Sequence, residues 1–186
     1  MRQSLETDLL GNKQIRPGII GPAGYNRIAV EEVHSVMDEA ISVAMLNAAR
    51  GGFEVALGLV FTQASADAVA CEVPVGPQLL QPYGLVHGGV YSSIIETLAS
   101  VGAALYALPR RQPTVGLENT TSFLKATRSG KLIGTAKPLH RGRTTQVWEV
   151  EVRGEDGELV ATGRVRMLCL EPGASLGGAL ADRLKR

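Results

Sequence analysis

Between Val73 and Pro109 the chain carries a single formally charged side chain, Glu96. A surface helix normally shows a charged face, so a helix that is neutral all round belongs in an interior. A carboxylate on such a helix is costly unless it is paired or put to chemical use. The run opens with Gln81-Pro-Tyr-Gly-Leu-Val-His87-Gly88-Gly89 and continues as a helix expected from about Gly88 to Leu108. Val90, Ile94, Leu98, Val101 and Leu105 form one apolar stripe at helical spacing. Glu96 falls almost opposite, with Ser92, Ala99, Ser100 and Ala103.

The rest of the chain supplies strands to cover this helix. After Pro109 the apolar period switches to two, and Val115–Phe123, Lys131–Leu139, Thr144–Arg153 and Glu158–Leu170 read as a four-strand antiparallel meander. Ser129-Gly130, Arg141-Gly142 and Asp156-Gly157 supply the turns. Trp148 shares a strand face with Gln146, Val150 and Val152 and is expected in the core, whereas Glu149, Glu151 and Arg153 face solvent. Upstream, Glu54–Thr62 and the alternating Val69, Cys71, Val73 and Val75 read as two more strands. A helix over Ile28–Arg50, with Val33, Met37, Ile41, Ala44 and Ala48 on one stripe, is stopped by Gly51-Gly52. Residues 1–28 read as an appendage ending in the breaker-rich Arg16–Gly24 linker, residues 29–170 as one domain, and 171–186 as a peripheral tail. The expected class is α+β: an antiparallel sheet wrapped around one long apolar helix, with an N-terminal helix. Such a wrap leaves sheet edges and a helix face open, which a second subunit naturally completes.

Composition narrows the function. The 186 residues suffice for one domain with a substantial core. Nineteen basic and eighteen acidic residues leave a net charge of +1, with no basic field to attract nucleic acid. Cys71 and Cys169 lie on apolar stretches and read as buried thiols. No segment is expected to span a membrane, and no signal-peptide core is evident, so the expected location is the cytoplasm. The three His, at positions 34, 87 and 140, and the two distant Cys form no zinc pattern. Neither a Walker loop nor a dinucleotide fingerprint occurs. No cofactor is expected.

Each notable residue has a plain alternative. Glu96 could face solvent, His87 could be structural, Gly88-Gly89 could only turn the chain, Gln81 could be solvated, and Ser100 could bond to the preceding helical turn. Their joint spacing favours chemistry: Gln six residues before His, and an acid nine after it on a helix.

That constellation resembles the hot-dog-fold acyl thioesterases. The likeness is to the PaaI-like branch with the glutamate-using 4-hydroxybenzoyl-CoA thioesterases and the enterobactin-pathway proofreading thioesterase. Val115-Gly-Leu-Glu-Asn119 and His140-Arg-Gly-Arg-Thr-Thr-Gln-Val-Trp148 resemble it too, and the likeness covers roughly residues 40–170. The resemblance implies hydrolysis of an acyl-CoA or acyl-carrier-protein thioester, with an aromatic or medium-sized acyl group and coenzyme A only as part of substrate or product. It implies a homodimer at least, and a tetramer as a dimer of dimers. The Gly88 N–H, at the helix N-terminus, would hold the developing oxyanion, and Gln81 would assist. His87 would bond the thioester or shape the loop. Glu96, from the other subunit, would be nucleophile or general base, and Ser100 would orient the water or the carboxylate. Gly89 would lie in the substrate-binding loop. Lys125, Arg128, Arg141 and Arg143, at strand ends or in loops on either side of a hairpin, with Thr144, could hold the coenzyme A phosphates or simply be solvated loop residues. Two alternatives stand beside this: a hot-dog dehydratase or hydratase acting on a 3-hydroxyacyl thioester, and a non-catalytic acyl-CoA-binding module. Dehydratases place His and acid farther apart, and a binding module has no need of a buried Glu96.

Overall fold

The computed structural model describes residues 42–174. The expected appendage, the first part of the expected N-terminal helix and most of the tail lie outside these residues. In chain order the elements are helix α1 (Val43–Ala48), helix α2 (Gly52–Leu57), strands β1 (Val60–Ala64) and β2 (Val69–Pro74), helix α3 (Gly88–Ala107), and strands β3 (Thr114–Phe123), β4 (Lys131–Arg141), β5 (Thr145–Gly154) and β6 (Leu159–Cys169). The six strands form one antiparallel sheet in the order β1-β2-β4-β5-β6-β3. Helix α3 packs against β2 through β6. This is the hot-dog arrangement.

Two expected elements change character. The apolar run expected as a strand from Glu54 begins instead as α2. Gly51 enters in an extended conformation, and Gly58, at φ 69°, ends the helix by donating to the Glu54 and Val55 carbonyls. A short apolar run suits helix or strand equally, and here the left-handed glycine decides. The expected four-strand meander is also broken. β4, β5 and β6 follow one another, but β3 pairs with β6 rather than β4 and becomes an edge. The connection 124–130 is extended enough, at roughly 3.4 Å per residue, to pass the ends of two strands spaced about 4.8 Å apart.

Helix α3 is rotated from its expected stripe. Val90, Ile94 and Leu98 are buried, but Val101 and Leu105 are only partly so. Ala99 and Ala103, expected beside Glu96, are instead fully buried. The cause is Trp148 on β5: a Cβ on Gly102 would come within 2.5 Å of its ring. A bulky strand residue thus requires the small face of the helix to turn inward. Trp148 Nε1 donates to Gln146 Oε1, and Gln146 Nε2 donates to the Ala103 carbonyl, so both buried polar groups are satisfied. Contrary to the compositional expectation, Gly88–Arg110 is long and apolar enough to cross a membrane by length and composition. Its packing inside the sheet identifies it as the core helix of the fold.

Replacing Trp148 with Ala should cost about 3–5 kcal/mol, the range for removing a buried aromatic. Gly102→Leu should also lower the melting temperature, by forcing helix and sheet apart. Thermal denaturation measures both, and an unchanged midpoint for Gly102→Leu would contradict this packing.

Candidate active site

The N-terminus of α3 is prepared by its own sequence. His87 caps the helix: its Nδ1 accepts from the Gly89 N–H at 2.9 Å. The neutral ring therefore carries its proton on Nε2. The Gly88 N–H makes no hydrogen bond among the described residues. Gly88 lines a cavity of about 300 Å³ together with Gln81, Leu85, Val86, Tyr91 and Phe123, among others. A Cβ at Gly88 would lie 3.0 Å from the Phe123 ring, so only glycine admits this close approach without displacing the aromatic. Gln81 lies on a tight loop and accepts from the Tyr83 N–H at 2.9 Å. Its carbonyl oxygen is thereby engaged, which leaves the amide NH₂ as the free end. Arg128 donates to the Tyr83 and Gly84 carbonyls and so braces the same loop.

Glu96 sits two turns further along, half-buried. Asn119 Nδ2 donates to its Oε2 at 2.9 Å, and Ser100 Oγ donates to its Oε1 at 3.5 Å. Gly116 lies directly beneath: a Cβ there would be 2.5 Å from Oε1. The pairing of β3 with β6 slips between Gly116 and Glu118, leaving Leu117 as an extra residue. Bulges of this kind occur at sheet edges and beside active sites, where they re-aim side chains.

The remaining expected ligands are spread along the molecule. Lys125 borders both the Gly88 cavity and an adjoining one of about 500 Å³, and pairs with Asp156 and Glu158 at 3.6 and 3.8 Å. Arg141 bonds Asp67 Oδ1 at 2.7 Å and the Ala66 carbonyl at 2.9 Å, and its guanidinium lies 4.9 Å from the Tyr106 ring centre. It is occupied in holding the β1–β2 turn. Arg143 is exposed, and among the described residues its side chain meets only Glu171, at 3.4 Å. Its carbonyl accepts from Gln112, just beyond the C-terminal end of α3, while the Thr144 carbonyl accepts from the Cys169 N–H. One chain thus gathers Gln81, His87, Gly88, Gly89, Lys125 and Arg128 at one end. It holds Glu96 and Ser100 at mid-helix, and Arg141, Arg143 and Thr144 at the far end.

Sequence reasoning gave no role to Asn119, Gly116 or Tyr91. The motif Val115–Asn119 was visible, but a bulge inside it defeats the alternation rule that assigns strand residues to faces. Cys71 is no rival nucleophile, because burial pushes its thiol up to about 12.

The sequence profile of the thioesterase superfamily matches residues 83–161. The chain is 36% identical over 126 residues to the proofreading thioesterase EntH of Klebsiella pneumoniae, spanning 67% of this chain and 91% of that protein. It is 41% identical over 121 residues to the Rv1847 protein of Mycobacterium tuberculosis, spanning 64% of this chain and 86% of that protein. The solved structure of thioesterase PA1618 from Pseudomonas aeruginosa superposes with a TM-score of 0.67 at 29% identity, covering 71% of this chain and 96% of that one.

The His87 cap predicts a stability effect. His87→Ala should destabilise by about 1 kcal/mol, whereas His87→Asn, which can accept the same N–H, should recover most of it. Equal melting temperatures for the two variants would remove the capping role. A core helix neutral but for one oriented carboxylate, with a sheet curled about it, agrees with these likenesses: the chain belongs to the hot-dog thioesterase superfamily and is a thioester hydrolase.

Proposed function

We propose that the chain hydrolyses an acyl-CoA or acyl-carrier-protein thioester in a site that two copies build together. The observation that carries this reading is a separation. Gly88 and Glu96 lie on one helix, about 12 Å apart along its axis at 1.5 Å per residue. One thioester carbonyl needs both an N–H donor and a base or nucleophile within roughly 3 Å of the reacting atoms. Two α3 helices packed antiparallel would set each Glu96 near the other's Gly88. The open edge of β3 would extend the sheet into the second copy. A homodimer, and a tetramer built from two of them, follows from this reading.

The chemistry needs no cofactor. As a general base, Glu96 takes a proton from water, and the resulting hydroxide adds to the thioester carbonyl. The Gly88 N–H holds the oxyanion, with the Gln81 amide assisting. Collapse breaks the carbon–sulfur bond, and the leaving thiolate recovers the proton, giving a carboxylic acid and a thiol. As a nucleophile, the Glu96 carboxylate adds directly, expels the thiolate and forms an anhydride that water opens. Ser100 would orient the water or the carboxylate. His87 shapes the loop through its cap, and its Nε2–H is the group left to bond the thioester. Leu85, Val86, Tyr91 and Phe123 beside Gly88 suit an uncharged acyl group, aromatic or of medium size. Lys125 and Arg128 near Gly88, and Arg143 with Thr144 from the far end of a chain, are the groups to meet coenzyme A phosphates.

Glu96→Gln should lower kcat by 10²–10⁴-fold, the usual value of a catalytic acid–base group. Turnover above roughly a tenth of the unmodified enzyme, followed by thiol release, would sink the assignment. Mixing inactive Glu96→Gln with inactive Gln81→Ala should restore activity after subunit exchange, because hybrid dimers hold one intact site; no recovery would count against a shared site. The two arginines should separate. Arg143→Ala should raise KM for acyl-CoA with kcat little changed, and the effect should shrink with salt. Arg141→Ala should instead lower the melting temperature, since its partners are Asp67 and Ala66.

A further inference from the structure

We infer that Asn119, oriented by Thr121, is a positioning residue that holds the Glu96 carboxylate in its working rotamer; this rests on Glu96 being the catalytic carboxylate. A glutamate has three rotatable bonds, and a half-buried one at a sheet edge can swing into solvent unless something retains it. Ser100 is a weak restraint, since its contact of 3.5 Å sits at the outer limit of a hydrogen bond. The short bond comes from β3. Asn119 Nδ2 donates to Glu96 Oε2 at 2.9 Å and to the Ser92 carbonyl at 3.1 Å. One amide nitrogen therefore ties the carboxylate to the helix turn that precedes it.

The direction of the amide is set by a third residue. Thr121, two positions along the same strand face, donates from Oγ1 to Asn119 Oδ1 at 2.8 Å. With Oδ1 engaged, both amide hydrogens face the two acceptors on α3. A flipped amide would aim its oxygen at a carboxylate and a carbonyl, leaving three acceptors facing one another. The chain of donors thus runs from Thr121 through Asn119 to Glu96. The slip in strand pairing at Gly116 belongs to the same device. It lets the carboxylate lie against bare backbone, where any Cβ would collide with Oε1. With Oε2 held, Oε1 carries, among the described residues, only the long Ser100 contact and is the oxygen left to act on water or the thioester carbon.

The test is steady-state kinetics on the full chain with benzoyl-CoA and hexanoyl-CoA, reading thiol release, beside thermal denaturation. Asn119→Ala should lower kcat roughly 10- to 100-fold with KM within about twofold, because a misaimed group loses transition-state contact rather than substrate binding. Thr121→Val should give a smaller fall of the same kind, and Thr121→Ser, which keeps the hydroxyl, should restore it. The double variant Asn119→Ala with Thr121→Val should be no worse than Asn119→Ala alone, since both break one chain of bonds. Should Asn119→Ala fold poorly, the shape-preserving Asn119→Asp replaces the donor with a second carboxylate and should cost at least as much in kcat. Unchanged kcat in Asn119→Ala or Asn119→Asp, with Glu96→Gln inactive, would overturn the positioning role while leaving the catalytic reading intact. Additive losses in the double variant would overturn the coupling through Thr121. Full turnover in Glu96→Gln would remove the catalytic carboxylate itself, and with it anything to position.

Discussion

The contact between Gly102 and Trp148 sets the geometry on which the rest depends. The ring stands on the inner face of β5 and leaves no room for a Cβ on the helix above it. Helix α3 must therefore present Ala99, Gly102 and Ala103 to the sheet. This rotation fixes where every other residue of the helix points. Glu96, Ser92 and Ser100 are carried to the flank beside β3, and Gly88 is carried to the mouth of the Phe123 cavity. Gln146 allows so large a residue to be buried with its indole N–H satisfied, because it bonds Trp148 and the helix backbone together.

Electrostatics then explains why one carboxylate is tolerated on an otherwise neutral helix. Glu96 is only half-buried and is met by donors rather than by a counter-ion: Asn119 from the edge strand and Ser100 from its own helix. Neutral donors stabilise a carboxylate without cancelling its charge, which is compatible with the base or nucleophile role proposed for it. Cys71 shows the opposite treatment. It is buried among apolar residues and kept protonated, so it contributes volume and no reactivity.

The arrangement of cations follows a similar division of labour. Arg141 and Arg110 flank the Tyr106 ring at 4.9 and 4.5 Å, and Arg141 also secures the β1–β2 turn, so part of the basic surface serves the fold. Arg128 braces the Gln81 loop through backbone carbonyls. Arg143 and Lys125 pair with exposed carboxylates, as Arg164 and Arg166 do on the sheet, and exposed pairs of this kind are of small worth to the fold.

The sequence by itself determined the elements whose signal is local. A long segment neutral but for one side chain could only be a buried helix, and its one carboxylate, nine residues after His87, was legible at once. Strands β4, β5 and β6 and the inward-facing Trp148 were legible from period-two patterning with glycine turns. What only the tertiary structure decided is non-local. The place of β3 beside β6 depends on a chain crossing that no local pattern encodes. The rotation of α3 depends on a tryptophan some fifty positions away in the chain. The meeting of Asn119 with Glu96 depends on a slip in strand pairing that reverses the alternation of faces within the motif. Local periodicity reports which side of an element is apolar; which partner that side meets is settled by packing against residues distant in sequence.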